Sequence, residues 1–440
     1  MNKIKTVTIL GANGTMGQNI SAIFASFGSA KVYLVSRDIA KSEAAKNNAY
    51  HSVRAECIKE RMIPADYSQL EECVLDSDLI FEACAENMSI KNDIHQQISD
   101  ILKKHNLKKI LCTGTSGLSV TKLAENYPEE NRAAFMGMHF FNPPYQLTLC
   151  EMIPTKYTEK DSSIFEFMKK YAADVLRRTV VETPDTAAFL GNRIGFQFIN
   201  EAMQQAEKYC ENGGIDYIDS ILGGYSGRSM APIVTANFVG LDVHKAIVDN
   251  IYENTNDYAR STFVCPDYIN KLVDEGKTGR KAGGGVYKTV KNDDGTKQHL
   301  VYDIKSDEYR NQSRYTFDFA LSMKNSLKLG DYAGAFKTLI ESDSQEAKIC
   351  CEMLLKYIVY SMNASKETGC PYSSADDVMA TGFRWCPPIA MYEAFSAVCD
   401  FNKLCKERLT SDINEIIIKN NLLENVEKSK YDYRRFILAK

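Results

Sequence analysis

A chain of 440 residues exceeds what one hydrophobic core organises, and at about 150 residues per domain it divides into roughly three units, which excludes a single small module. Charged side chains make up 25% and AVILMFWYC residues 44% of the sequence, a balance that excludes a disordered or fibrous polymer. The 53 basic and 57 acidic residues leave a net charge of -4, so bulk electrostatics draw the chain neither to nucleic acid nor to an anionic membrane.

The opening segment MNKIKTVTIL passes directly into an expected strand and lacks the apolar run and small-residue cleavage site of a secretory signal. No stretch of about 18 apolar residues occurs. The 13 cysteines are scattered, with only Cys350 and Cys351 adjacent and no Cys/His set at zinc spacing. They read as reduced thiols, and a cytoplasmic location without a metal site or membrane contact is expected.

Up to about residue 182, β-rich runs alternate with helical periods. Strands are expected at Ile4 to Leu10, Lys31 to Ser36, Leu79 to Ala83, Lys109 to Thr113 and Ala134 to Phe141, a pattern that predicts a doubly wound parallel sheet. Between the first two, Met16, Ile20, Ile23, Phe24 and Phe27 share one helical face, and Gly28 is expected to close that helix. From residue 183 strand signals fade into long helical periods. This all-α region is expected as a substrate or dimerisation domain over 183–290, a linker with a β-hairpin around Lys291–Lys297 over 291–340, and a second helical domain over 341–440. Ala375-Asp-Asp-Val378, Gly382-Phe383 and Cys386-Pro-Pro-Ile389 echo Tyr217-Ile-Asp-Ser220, Gly224-Tyr225 and Met230-Ala-Pro-Ile233, so the helical unit reads as a diverged duplication.

Chemistry enters at Gly11-Ala-Asn13-Gly14-Thr15-Met16-Gly17, between the first strand and first helix. Glycines there allow a tight turn and close approach of backbone amides to a pyrophosphate, as in a Rossmann-type dinucleotide site. The spacing is one residue longer than G-x-G-x-x-G. At the end of the second strand, Ser36-Arg37 replaces the acid that usually holds a ribose diol. The residues therefore permit NADP, with Arg37 on a 2′-phosphate, or NAD, with Asp38 doing the work of the missing carboxylate. His139 ends a predicted strand, where doubly wound sheets bind ligands, and Glu151 is the best candidate to orient its ring. An imidazole so placed can exchange a proton with an alcohol; the alternative is a core histidine beside aromatic rings.

The chain resembles the L-3-hydroxyacyl-CoA dehydrogenase family over roughly residues 5–290. The resemblance is carried by Gly14-Thr-Met-Gly17, Glu82-Ala-Cys-Ala-Glu86-Asn87 with Lys91, Thr115-Ser116, His139-Phe-Phe-Asn142-Pro143, Glu151, Asn192-Arg193 and Gly279-Arg-Lys-Ala-Gly-Gly-Gly-Val-Tyr287. It implies His139 as general acid/base, Glu151 as its partner, Ser116 and Asn192 as donors to the substrate oxygen, Asn142 near the nicotinamide, and Glu86 and Lys91 along the cofactor cleft. Ser116 and Asn87 also read as helix caps, and Asn192 as a helix-start residue. Gly114-Thr-Ser-Gly117 stands where the family has Asn-Thr-Ser-Ser, which removes two polar side chains.

The resemblance implies reversible oxidation of a 3-hydroxyacyl-CoA by NAD or NADP in fatty-acid β-oxidation, with substrate held between the dinucleotide domain and the first helical unit. Arg54, Lys59 and Arg61 are candidate contacts for coenzyme A phosphates or simply a solvated face. Other readings are a dehydrogenase of a free β-hydroxy acid or carnitine-like alcohol, and a non-catalytic dinucleotide-binding protein. A duplicated helical unit makes a monomeric pseudo-dimer the expected state, with a homodimer as the alternative, and no hydratase module is expected ahead of the first strand.

Overall fold

The computed structural model describes residues 3–439. Short, mostly apolar runs form an eight-stranded sheet from β1 (Thr6–Leu10), β2 (Lys31–Ser36), β3 (Met62–Asp66), β4 (Leu79–Glu82), β5 (Ile110–Thr113), β6 (Phe135–Phe140), β7 (Leu149–Ile153) and β8 (Thr179–Glu182). The strand order is β3-β2-β1-β4-β5-β6-β7-β8, parallel throughout except between β6 and β7. The central strands are near-continuous apolar runs because helices cover both faces: Val7, Ile9, Val32 and Leu34 pack into one core, Leu10, Val35 and Ile80 into another.

All five expected strands form, with ends within two residues of the reading. Three further strands carried weak signals for physical reasons. β3 contains Pro64, which cannot donate to a ladder and is tolerated because β3 is an edge strand. β7 is short and interrupted by a charged residue, Glu151, and β8 is a four-residue edge strand. The first helix, Thr15–Ser26, buries Ile20, Ile23 and Phe24, but Phe27 lies outside the core with its ring stacked on Tyr145. The left-handed residue beyond this helix is Ser29 at φ 51°, in place of the expected Gly28.

Two compact units divide between Phe189 and Leu190. Asp185 accepts hydrogen bonds from Ser119 Oγ and from the Val120 and Thr121 amides, which ties residues 183–189 to the first unit. The second unit, Leu190–Lys440, holds the helices that follow. The hairpin is present as β9 (Tyr287–Lys291) and β10 (Lys297–Asp303), and β11 (Glu308–Asn311) adds a third strand.

Within the second unit the echoed segments share geometry. Asp219 accepts from the Ile233 amide at 2.9 Å and Asp376 from the Ile389 amide at 2.7 Å, each capping a helix with proline at its start. Arg228 pairs with Trp385 in an antiparallel bridge, and the helices Gly191–Lys208 and Gln345–Glu367 pack together, with Phe198 against Tyr357.

Buried His244, whose Nε2 bonds Asn200 Oδ1 at 2.9 Å, is pushed by desolvation from 6.5 down to about 3. It stays neutral when folded, so from pH 6.5 towards 3 the unfolded chain binds a proton that the native chain does not. Its contribution to stability falls by about 1.4 kcal/mol per pH unit over that window. Asp219 and Asp376, raised by burial from 3.8 to about 7, act with opposite sign as pH rises from 3.8 to 7. The effect is therefore read as a difference: urea unfolding of His244→Gln against wild type at pH 7.5 and 5 is expected to show the variant's relative stability improving at pH 5. A pH-independent difference refutes the assignment.

Candidate active site

The candidate residues in the first unit gather at the C-terminal ends of β1, β2, β4, β5 and β6, where the strand order reverses between β1 and β4 and opens a crevice. At β1, Gly11 takes φ 73°, and a Cβ there would sit 2.7 Å from the Ala83 carbonyl oxygen of the turn after β4. The Gly14 amide donates to the Gly11 carbonyl at 3.0 Å, a tight turn that absorbs the extra residue of the motif. Asn13, Gly14 and Thr15 are exposed, Met16 is half-buried and Gly17 is buried. A Cβ on Gly17 would overlap the Gly11 carbonyl oxygen. The cradle thus fits a dinucleotide pyrophosphate: backbone amides at a helix start, with no side chain in the way. Gly17→Ala is expected to cost about 1–3 kcal/mol by overpacking and to weaken dinucleotide binding, measured by thermal unfolding with and without cofactor.

At the end of β2, Ser36 is buried and Arg37 exposed. Asp38, its side chain 46% exposed, caps the helix Ile39–Val53 through the Lys41 amide at 2.8 Å and pairs with Lys41 Nζ at 2.6 Å. Of the expected basic face, Lys59 pairs with Glu56 at 3.0 Å, Arg61 donates to the Ala25 carbonyl, and Arg54 is exposed.

Beyond β4 lies a network in which the sequence reading gave Glu82 and His95 no role. Glu82 is fully buried, and its carboxylate accepts from Lys91 Nζ at 2.7 and 3.0 Å, Thr113 Oγ1 at 2.7 Å and the Cys84 amide at 2.5 Å. Burial pushes the Glu82 carboxyl up, but His95, 3.6 Å away, and Lys91 outweigh it and hold it down at about 2. Burial likewise disfavours the Lys91 ammonium, and the Glu82 and Glu86 carboxylates overcome this and raise it. Lys91, expected at the cofactor, is itself only 1% exposed and serves as counter-ion to Glu82 while reaching Glu86 at 3.4 Å. A strand-end Glu82 followed by Lys91 and His95 four residues apart on one helix face was the signal for this cluster.

Glu86 bridges to the loop after β5, accepting from Thr115 Oγ1 at 2.6 Å and the Ser116 amide at 2.7 Å. Asn87 caps the helix Met88–His105 by accepting from the Ile90 amide, and Ser119 rather than Ser116 caps the helix Val120–Ala124. Gly114 has a packing reason: a Cβ would lie 3.0 Å from the Phe81 ring. Thr115 Oγ1 accepts from the Leu118 amide at 3.0 Å, so the loop is held without the polar residues it lacks.

His139 on β6 stands directly opposite Glu151 on β7. The two strands are antiparallel, which brings side chains twelve residues apart in sequence onto one face, and His139 Nδ1 lies 2.8 Å from Glu151 Oε2. Glu151 is fully buried and His139 is 4% exposed, with the Phe141 and Phe189 rings 4.6 and 5.6 Å from the imidazole, centre to centre. Phe189 reaches it from left-handed backbone, φ 54°, next to Ala188 at φ 58°, a costly conformation for non-glycine residues. A carboxylate oxygen accepts, so Nδ1 carries the hydrogen and Nε2 keeps its lone pair for a substrate proton. Asn142, just past β6, accepts from Asn19 Nδ2 of the first helix at 3.3 Å. Asn192 lies in the second unit, buried in the first turn of Gly191–Lys208.

Comparison with known proteins accords with this arrangement. Residues 6–186 match the NAD-binding domain model of 3-hydroxyacyl-CoA dehydrogenases and residues 189–289 match their C-terminal domain model. A probable 3-hydroxyacyl-CoA dehydrogenase of Bacillus subtilis is 28% identical over 95% of this chain, which spans only 54% of that protein's length. One from Deinococcus radiodurans is 30% identical over 66% of this chain and 84% of its own. The crystal structure of 3-hydroxybutyryl-CoA dehydrogenase from Escherichia coli K12, 17% identical, shares the fold over 96% of this chain and 99% of that one with a TM-score of 0.66. With an N-terminal domain of this kind followed directly by its C-terminal partner, the chain belongs to the 3-hydroxyacyl-CoA dehydrogenase family.

Proposed function

We propose that the chain reversibly oxidises a 3-hydroxyacyl-CoA to the 3-oxoacyl-CoA, with NAD or NADP as the acceptor. The observation that carries this reading is the His139–Glu151 pair, with His139 near the C-terminal end of β6 as the glycine cradle is at that of β1. When bound, the nicotinamide ring supplies an acceptor for the hydride leaving C3 of the substrate. His139 Nε2 takes the hydroxyl proton, and Glu151 holds the ring orientation and stabilises the imidazolium that results. Glu86 fixes the loop that carries Ser116, the donor to the emerging carbonyl, with Asn192 as the second donor and Asn142 beside the nicotinamide. The apolar Phe141 and Phe189 rings keep water from the imidazole and so strengthen its pairing with Glu151.

Initial rates with 3-oxoacyl-CoA substrates of graded chain length, run with NADH and NADPH, test the reading; no oxidation of either dinucleotide refutes it. Competition by free coenzyme A separates it from a dehydrogenase acting on a free β-hydroxy acid. The paired helical segments of the second unit support a monomer that satisfies internally a surface otherwise covered by a second subunit. Light scattering is expected to return the mass of one chain, and a firm dimer through residues 183–290 overturns this. The 13 scattered cysteines fit a reducing cytoplasm, and no helix among the described residues is long and apolar enough to cross a membrane.

A further inference from the structure

We infer that the end of β2 takes the 2′-phosphate of NADP in preference to the free ribose diol of NAD, with Arg37 as the cation that pairs with it; the inference rests on the dinucleotide reading above. The Ala12 amide of the glycine turn donates to the Val35 carbonyl at 3.1 Å, so the pyrophosphate cradle is tied to β2 one residue before Ser36. A dinucleotide lying in that cradle runs its adenosine ribose past the end of this strand.

What the ribose meets there is a matter of charge. Ser36 offers no carboxylate to a diol, and its buried hydroxyl makes no hydrogen bond among the described residues. The two acids that could substitute are already engaged. Asp38 is held by the Lys41 amide and ammonium, and Asp66, opposite Ser36 on β3, accepts from the Ser68 amide at 2.9 Å and the Ser68 hydroxyl at 2.5 Å. Lys41 is in turn paired with Asp38, and Arg37 is exposed and makes no ion pair among the described residues. A guanidinium fork suits the two-oxygen edge of a phosphate, and a diol gives it nothing of comparable strength.

The test is binding, read by nicotinamide fluorescence in titrations of NADPH and NADH without substrate. NADPH is expected to bind about tenfold or more tightly, and Arg37→Ala to lose about tenfold for NADPH while NADH moves less than about twofold. Arg37 is exposed, so the variant folds, and retained NADH binding shows it. NADH binding as tightly as NADPH overturns the inference and leaves the dehydrogenase reading standing. Binding of neither overturns both. If Arg37→Ala instead weakens free coenzyme A and leaves NADPH unchanged, the guanidinium serves the coenzyme's ribose phosphate and the inference fails.

Discussion

His139→Gln is expected to lower kcat by about 10²–10⁴-fold while dinucleotide affinity stays within about threefold of wild type. Glutamine is the informative replacement because it is polar, close to the imidazole in size and unable to act as a base. What is lost is the Nε2 lone pair, and with it the base for the substrate hydroxyl. Glu151→Gln is expected to cost less, since the imidazole remains but its orientation and the stabilisation of its charged form weaken. Stopped-flow turnover paired with a dinucleotide titration checks both: a His139→Gln enzyme of ordinary kcat removes the imidazole from the mechanism, and a parallel collapse of dinucleotide binding reduces its role to structure.

Lys91→Met is expected to cost about 3–5 kcal/mol in urea unfolding, because it leaves the Glu82 carboxylate in the core without its ammonium. Thr113 and the Cys84 amide remain as uncharged donors and His95 stays 3.6 Å away, so the compensation is reduced rather than abolished. The double variant Glu82→Gln/Lys91→Met is expected to recover a large part of the loss, since neither charge is then buried. The pH dependence has a definite sign. Glu82, depressed in the native state from 4.5 to about 2, contributes stability that is present above pH 4.5 and lost as pH falls through 2. Without Lys91, burial favours the protonated carboxyl, so the gap between wild type and variant narrows as pH drops from 7 to 3. Equal stability of Lys91→Met and wild type at pH 7 contradicts the account. Through the 3.4 Å contact with Glu86, the same substitution also loosens the hold on the Ser116 amide, so kcat is expected to fall in whatever fraction stays folded.

Much of this molecule was legible one residue at a time. Short-range rules decide the alternation of apolar strands with amphipathic helices, the glycines between β1 and the first helix, and the hairpin around Lys291–Lys297, and the family motif adds His139 and Glu151. Each of these depends on the period of side chains along a backbone or on a conformation only glycine adopts cheaply. The strands missed were those whose local signal is contradicted by a residue that tolerates the position only because of its neighbours: Pro64 at a sheet edge, and Glu151 in a buried strand opposite an imidazole.

Tertiary structure decided which charges are free to act. From the sequence Arg37 and Lys91 were candidates for the cofactor, with Asp38 as the alternative to Arg37; the fold shows that Asp38 is a helix cap, that Lys91 is the counter-ion of Glu82, and that Arg37 is exposed. The sequence by itself determined the order of elements, because local periodicity is written along the chain, and the family resemblance pointed to His139 and Glu151, which the fold sets opposite each other. Which side chains are desolvated, paired or left exposed depends on what lies across the sheet and from distant segments, since the cost of a buried charge is set by the groups packed around it.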